Sequence, residues 1–310
     1  MIKLLFTGGG GAGNEAIFRL WQDQYDLHFA DAQMDVISPS IPDLRHHVIP
    51  LASSDDFTEK VAELCRQLEI DILVPGVDEE LPLMPGVCER APDTKILLPD
   101  AAYVATMGDK LLMARALAEK DINVPATAPL KDASTIGFPC IAKPRVGRGS
   151  RGFAFLDDQQ AADAYEHFYN SEAIAQELLE GQEYTVMMAA DGNGNLAAVV
   201  PVRVDVKRGI TLKAETESNE AVIQACQAIH AALPVQGCYN IQLMVTGDGR
   251  VLPFEINPRI STTCCLGIIA GIDPVEIFLG DSSLGQLLAF TPGVILRRFW
   301  MNNFGVPSDD

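Results

Sequence analysis

Apolar and polar positions divide the chain into two kinds of pattern. Through roughly the first hundred residues, short apolar runs alternate with stretches of helical spacing. The runs are IKLLFT at 2–7, LHFA at 27–30, DILVP at 71–75 and KILLP at 95–99. In DFTEKVAELCRQL the apolar positions Phe57, Val61, Leu64, Cys65 and Leu68 recur three or four apart, which predicts a helix with one face on a sheet. Strand and helix in alternation predict βαβ units and a parallel sheet. A second segment starts near Pro99, where the helical pattern DKLLMARALAEKDI leads through Pro125 and Pro129 into two short strands flanking a loop rich in glycine and arginine. From about Tyr184 the pattern changes to long strands with turn signals at DGNGN and TGDGR, plus one amphipathic helix around EAVIQACQAIHAAL. The expected fold class is therefore α/β followed by α+β.

Composition narrows the partners. The 310 residues, 48% of them hydrophobic, suffice for a sizeable core in two or three domains. Forty-two acidic against 23 basic side chains give a formal charge of −19, which repels a phosphate backbone or an anionic membrane. An anionic substrate then needs its own basic pocket. The amino terminus has no basic region followed by an apolar stretch and a cleavage site, and no apolar run approaches the ~20 residues of a membrane span. The expected location is the cytoplasm. Seven cysteines without a C-x-x-C pair give neither a disulfide framework nor a zinc site, so most are expected in the core.

Two stretches compete as the nucleotide site. In LLFTGGGGAGNEAIF, Gly8, Gly10 and Gly13 have dinucleotide-type spacing after a strand-like run, and Asp31 follows where a ribose-binding acid would sit. Locally, a nicotinamide-dependent oxidoreductase is the leading reading of this turn. The second half argues otherwise. If GDGR closes a two-residue hairpin on Asp248 and Gly249, Gln242 lies opposite Glu255 and Asn240 opposite Asn257. Alternation puts Glu255, Asn257 and Arg259 on one face. A carboxylate among apolar neighbours requires a cation or a hydrogen-bond network, and oxygen donors of this kind suit magnesium. The competing reading is a strand end in which Glu255 pairs with Arg259.

Upstream, Lys143 ends the apolar strand of CIAKPRVGRGSRG, where it can reach a phosphate while the loop folds over it. Alternatively Lys143 only lays its stem along apolar surface and the loop is a solvated turn. In AIAQELLEGQEYTV, Glu177 to Leu179 can form a hinge against an adenine edge and Glu183 can accept from ribose, or the whole stretch is an acidic connector.

Together and in this order, IAKP, GRGSRG, QELLEGQE and FEINPRIS resemble the ATP-grasp superfamily, most closely single-unit proteins similar to the large subunit of carbamoyl phosphate synthase. The resemblance runs from about Asp109 to Gly271. It implies an N-terminal Rossmann-like domain over 1–105, a small lid subdomain over 106–183 and a C-terminal subdomain over 184–310 carrying the metal and catalytic site. It further implies that Lys110 and Lys143 contact ATP phosphates, that Arg148, Gly149 and Ser150 belong to the lid, that Glu177, Leu178 and Leu179 border adenine, and that Glu183 binds ribose. Gln242, Glu255 and Asn257 match the family's positions for magnesium or manganese, and Arg259, with Asn257, its catalytic positions. The implied activity is ATP-dependent joining of a carboxylate to an amine or ammonia through an acyl phosphate. By the same resemblance the glycine-rich turn binds no dinucleotide and instead rims the acceptor pocket. A catalytically silent nucleotide-binding protein is the third reading.

Partners implied are small-molecule carboxylate and amine substrates, with no nucleic acid and no membrane, and with room for a homodimer. Two departures matter. One unit cannot hold the two phosphorylating halves of a carbamoyl phosphate synthase, and STTCC after Arg259 leaves the acceptor side open. Arg203, Lys207, Arg208 and Lys213 are basic candidates for that side, or charges protecting an exposed strand edge.

Overall fold

The computed structural model describes residues 1–302 except 148, 150, 170, 171, 281–285, 300 and 301. It opens with β1 (Lys3–Thr7), α1 (Asn14–Trp21), β2 (Asp26–Asp31), β3 (His46–Val48), α2 (Phe57–Leu68), β4 (Ile72–Val74), α3 (Met84–Arg90) and β5 (Lys95–Ile96). These strands form one parallel sheet in the order β3-β2-β1-β4-β5. The run in β1 is apolar throughout because both faces are covered. Leu4 and Phe6 pack with Ile17 and Trp21 of α1, and Leu5 packs with Phe57, Val61 and Cys65 of α2.

Two helices follow, α4 (Ala101–Met107) and α5 (Lys110–Ala118). Asp109 begins α5 by accepting the amides of Leu111 and Leu112, and so sets where Lys110 stands. The helix stops at Ala118, four residues before the sequence pattern fades, where Asp121 turns to φ 59° and Ile122 N–H closes on Leu117 O.

Next come β6 (Thr127–Pro129), β7 (Cys140–Pro144), β8 (Ala154–Leu156), α6 (Gln159–Tyr169) and β9 (Ala173–Glu177), whose strands form an antiparallel sheet ordered β6-β9-β7-β8. The remaining strands form a larger antiparallel sheet. They are β10 (Gly181–Ala190), β11 (Leu196–Arg208), β12 (Ile210–Thr216), β13 (Gly237–Thr246), β14 (Val251–Asn257) and β15 (Ile295–Arg297), in the order β14-β13-β10-β11-β12-β15. One face of this sheet, through Met187, Ala198 and Val200, shares a core with β1, β2 and α1. Its other face, through Val186, Met188 and Ile241, packs on α5 and on α7 (Glu220–Ala232). Two short helices, α8 (Cys264–Ile269) and α9 (Pro274–Leu279), follow β14 and join the first of these cores. Six of the seven cysteines are buried, and Cys88 is exposed. Among the described residues no helix is long and apolar enough to cross a membrane.

The β13–β14 hairpin departs from its expected turn. Thr246 pairs with Arg250 across a three-residue loop in which Gly249 takes φ 86°, so the strands leave the turn one residue out of the expected register. A bulge at Phe254, between Leu243↔Pro253 and Gln242↔Glu255, restores it. Gln242 then faces Glu255, and Asn240 faces Asn257.

Candidate active site

A cavity of about 340 Å³ lies between the four-stranded sheet and the large sheet. Lys110, Lys143 and Lys207 line it together with Glu177, Glu183, Gln242 and Glu255. With Arg151, also in the lining, four cations face three carboxylates, a slight positive excess in a chain of charge −19. Such an excess is kinder to an anion than the rest of the surface.

Lys143 leaves β7 and donates from Nζ to Phe254 O at 3.2 Å, with the same nitrogen 5.3 Å from the Phe254 ring centroid. The carbonyl belongs to the bulged residue, which has no ladder partner of its own. Burial above all, with Lys110 and Lys207 adding to it against the opposing pull of Glu255 and Glu183, pushes the Lys143 ammonium down to about 8. Lys110 Nζ donates to Gly147 O at 2.9 Å and stands 4.0 Å from Glu255 Oε2. Arg145 grips Asp109 with Nε and Nη2, and its carbonyl accepts the Lys110 amide. Burial alone would raise the Asp109 carboxyl; Arg145 and the two α5 amides outweigh it and hold the group low. The loop after β7 is thereby anchored to the first turn of α5. Beyond that anchor Gly149 takes φ 69° with nothing within 4 Å of where a Cβ would stand, a conformation that suits glycine. Arg148 and Ser150, expected in the lid, lie outside the described residues.

At the other end of the cavity, Glu177, Leu178 and Leu179 line one wall. The Glu177 amide is already taken by Ala126 O, and its carboxylate by Ala126 N–H and Arg250. Ile141, Phe153, Phe155, Met244 and Phe254 supply the apolar remainder. Phe153 and Phe155 meet edge to face at 5.1 Å. These aromatics were not among the residues expected at the site. Their period-two spacing in RGFAF, just past the glycine loop, is the signal that could have found them.

Of the four basic candidates for the acceptor side, Lys207 is the one that lines this cavity. It donates to Glu183 Oε1 at 2.5 Å and Gln242 Oε1 at 2.9 Å. Irregular register around Val206 turns it there. Arg203 is enclosed by Asp205, Glu215 and Glu217, and Lys213 pairs with Asp205, so neither presents a free charge to an anion. Arg208 is exposed.

The metal candidates do not all face the same space. Gln242 and Glu255 line the cavity just described. Asn257 lines a second cavity of about 260 Å³, which shares Lys110, Gly147 and Glu255 with the first. Asn257 Nδ2 donates to Asn240 Oδ1 at 3.3 Å, leaving its own Oδ1 as an acceptor. Arg259 does not pair with Glu255. Its Nε donates to Asp78, in the turn after β4, and its Nη1 to Ile260 O. Among the described residues no three His, Cys, Asp or Glu side chains group as metal ligands, so any ion here would depend on one carboxylate and neutral amides.

Three amides of the glycine-rich turn are engaged within the chain. The amides of Gly9, Gly10 and Gly11 are bound by Ala30 O, Asp31 Oδ2 and Gly8 O. Asp31 Oδ1 takes the Ala32 amide. A Cβ on Gly10 would stand 2.6 Å from Val36, which shows how closely that side is covered. Gly13 instead lies against the backbone of Thr262, three residues past Arg259, where a Cβ would meet Thr262 O at 3.0 Å.

Residues 107–263 match the ATP-grasp domain, half of the chain. The chain belongs to the ATP-grasp family. Among curated ATP-grasp relatives it is similar to the formate-dependent phosphoribosylglycinamide formyltransferase of Ignicoccus hospitalis, with 24% identity over 83% of this chain and 69% of that one. It is also similar to the carbamoyl phosphate synthase large chain of an Arthrobacter species, with 28% identity over 54% of this chain. Only 17% of that protein's length is covered. The fold matches the biotin carboxylase domain of Hydrogenobacter thermophilus 2-oxoglutarate carboxylase with a TM-score of 0.69 and 15% identity, over 94% of this chain and 71% of that one. That structure is a dimer holding MgADP, ADP and bicarbonate. The parallel sheet followed by two antiparallel sheets is thus an ATP-grasp architecture.

Proposed function

We propose that this ATP-grasp protein is an ATP- and magnesium-dependent ligase that joins a carboxylate to an amine or ammonia. The observation that carries the reading is the convergence of Lys110, Lys143 and Lys207 on Glu255 and Gln242 within one cavity between two sheets. In this reading the adenine base enters between Leu178–Leu179 and the apolar wall of Phe153, Phe155 and Met244, with Glu183 at the ribose. Lys110 and Lys143 face the phosphates, and the glycines from Gly147 to Gly152 let the loop close over them.

The donors present suit magnesium, or manganese in its place, because they are oxygens with a single negative charge among them. Glu255, which borders both cavities, would hold the ion with Gln242 Oε1 on the side of the first and Asn257 Oδ1 on the side of the second, and the bound ion would neutralise charge on the β- and γ-phosphates. Gln242 Oε1 is occupied by Lys207 Nζ, so Lys207 must give up that contact and turn toward the phosphates as the site fills. A substrate carboxylate oxygen forms a bond to the γ-phosphorus as the bond to the β–γ bridging oxygen breaks, giving acyl phosphate and ADP. The amine nitrogen then bonds to the acyl carbon, phosphate departs with the electron pair, and the amine proton leaves with it. Arg259, held beside Asp78, is the cation nearest this chemistry on the acceptor side. Catalysis on this account is positioning and electrostatics.

The three units expected from sequence take distinct parts in this proposal. Residues 1–105 rim the acceptor side, 106–183 carry the lid, and 184–310 carry the metal and catalytic groups. The relatives' MgADP-bound, dimeric carboxylase supports a nucleotide at this site and admits a homodimer here.

ADP release in the presence of magnesium, measured over a panel of carboxylates paired with amines or ammonia, tests the reading. Acceptor-dependent release is expected. A melting temperature raised by NADH or NADPH and unmoved by MgATP would favour the oxidoreductase instead. MgATP binding with no acceptor-dependent release across the panel would favour a silent nucleotide-binding protein.

A further inference from the structure

The second cavity lies behind the Lys110–Glu255 pair, on the side away from the apolar wall of the nucleotide cleft. Its walls are chiefly apolar: Leu81 follows β4, Val104 and Met107 come from α4, Leu112 from α5 and Val146 from the glycine loop. Leu112 and Val146 are exposed although they are large and apolar. Four charged side chains face this space: Asp78, Asp109, Lys110 and Glu255. Asp109 is fully engaged by Arg145 and the α5 amides, and Lys110 is shared between Gly147 O and Glu255. Asp78 is different. Its Oδ1 takes Arg259 Nε, and among the described residues no hydrogen bond reaches its Oδ2. The cavity therefore joins a greasy wall to a carboxylate with acceptor capacity left, close to the phosphate end of the nucleotide cleft.

We infer that this cavity receives the amine substrate, and that the amine is a primary ammonium bearing an apolar body. The inference rests on the ligase reading above and deepens it by naming the class of the second substrate. The ammonium donates to Asp78 while its alkyl portion covers Leu81, Val104, Met107 and Leu112; it gives one proton to that carboxylate before its nitrogen bonds to the acyl carbon, and the second proton leaves with the phosphate. A carboxylate substrate does not suit the same place, because Asp78 and Glu255 would repel it.

The test titrates the whole chain with primary alkylamines from methylamine to hexylamine, and with the matching alcohols, by calorimetry in the presence and absence of MgADP. Amine affinity is expected to rise by up to about fourfold per methylene, with each alcohol at least tenfold weaker than its amine. Ala105 lines the cavity from an exposed position. Ala105→Trp and Leu112→Lys should each weaken hexylamine at least tenfold while the MgADP affinity stays within twofold. Asp78→Asn should remove the preference for amine over alcohol. Equal affinity for amines and alcohols would overturn the inference, as would hexylamine binding untouched by both Ala105→Trp and Leu112→Lys. Intact MgADP binding without amine binding overturns this inference alone. Failure of MgADP and MgATP to bind, with amine binding intact, overturns the ligase reading and leaves the cavity assignment standing.

Discussion

Lys143 Nζ reaches the carbonyl of Phe254 at 3.2 Å, and that carbonyl is free to receive it because Phe254 is the extra residue of a bulge in β14. One local irregularity thus seats the buried cation of the cavity between the two antiparallel sheets and brings Glu255 into line with Gln242.

The Lys143 ammonium, lowered to about 8 by burial, makes a pH prediction with a definite sign. Between pH 8 and about 10.5 the unfolded chain holds a proton on Lys143 that the folded chain has released, so stability without ligand rises with pH in that window. ATP affinity should move the other way and fall by about tenfold per pH unit above 8, because the phosphates need the charged form. Lys143→Met should abolish this slope and weaken ATP at pH 7.5. Calorimetric ATP titrations from pH 7 to 9.5 measure both.

Lys207 bridges Glu183 and Gln242, so its removal leaves two oxygens of the cleft without their donor. Lys207→Met should weaken ATP and ADP alike by about tenfold, in keeping with one hydrogen bond to a charged group. An unchanged affinity for both would return Lys207 to a structural role.

Arg259 and Asp78 are both mostly buried, at 13% and 21% side-chain exposure. Removing the carboxylate by Asp78→Asn leaves the guanidinium without its counter-ion and should cost about 2–3 kcal/mol in urea unfolding. MgATP affinity should stay within twofold, since neither residue lines the nucleotide cleft.

How much of this was legible in the sequence depended on the separation of the partners. The parallel sheet, the long antiparallel strands and the Gln242–Glu255 and Asn240–Asn257 pairs follow from alternation and turn residues. Even there, the turn is a residue longer than GDGR suggests, and the site register survives only through the bulge at Phe254. The Arg259–Asp78 pair spans 181 residues of sequence, and no local pattern announces it. Lys207 was one of four basic candidates for the acceptor side, chosen for standing on a strand near the site, and the irregular register around Val206 that accompanies its position in the cavity has no mark in the sequence. The glycine-rich turn carries dinucleotide-type spacing, yet the amides of Gly9, Gly10 and Gly11 are bound within the chain, a fact that spacing cannot contain.

Acid stability should be governed in part by the first sheet. His28 Nδ1 and His47 Nε2 lie 2.9 Å apart, and burial lowers both rings, His47 to about 4. The unfolded chain binds protons at these sites near pH 6.5 while the folded chain does not, so stability is complete above 6.5 and is lost as pH falls toward 4. His47 should account for about 1–2 kcal/mol of that loss, allowing for its partial exposure. His47→Gln should flatten the urea midpoint between pH 6.5 and 4.5.

The central claim is that Glu255 makes the cleft a magnesium-nucleotide site, and the most direct measurement is calorimetric ATP binding with and without magnesium in the wild-type chain and in Glu255→Gln. Magnesium should tighten ATP at least tenfold in the wild type and have almost no effect in the variant. The unliganded melting temperature should fall modestly, because Lys110 and Lys143 lose the carboxylate that faces them, while Arg259 keeps its partner Asp78. A variant that keeps the full magnesium effect on ATP would contradict the account.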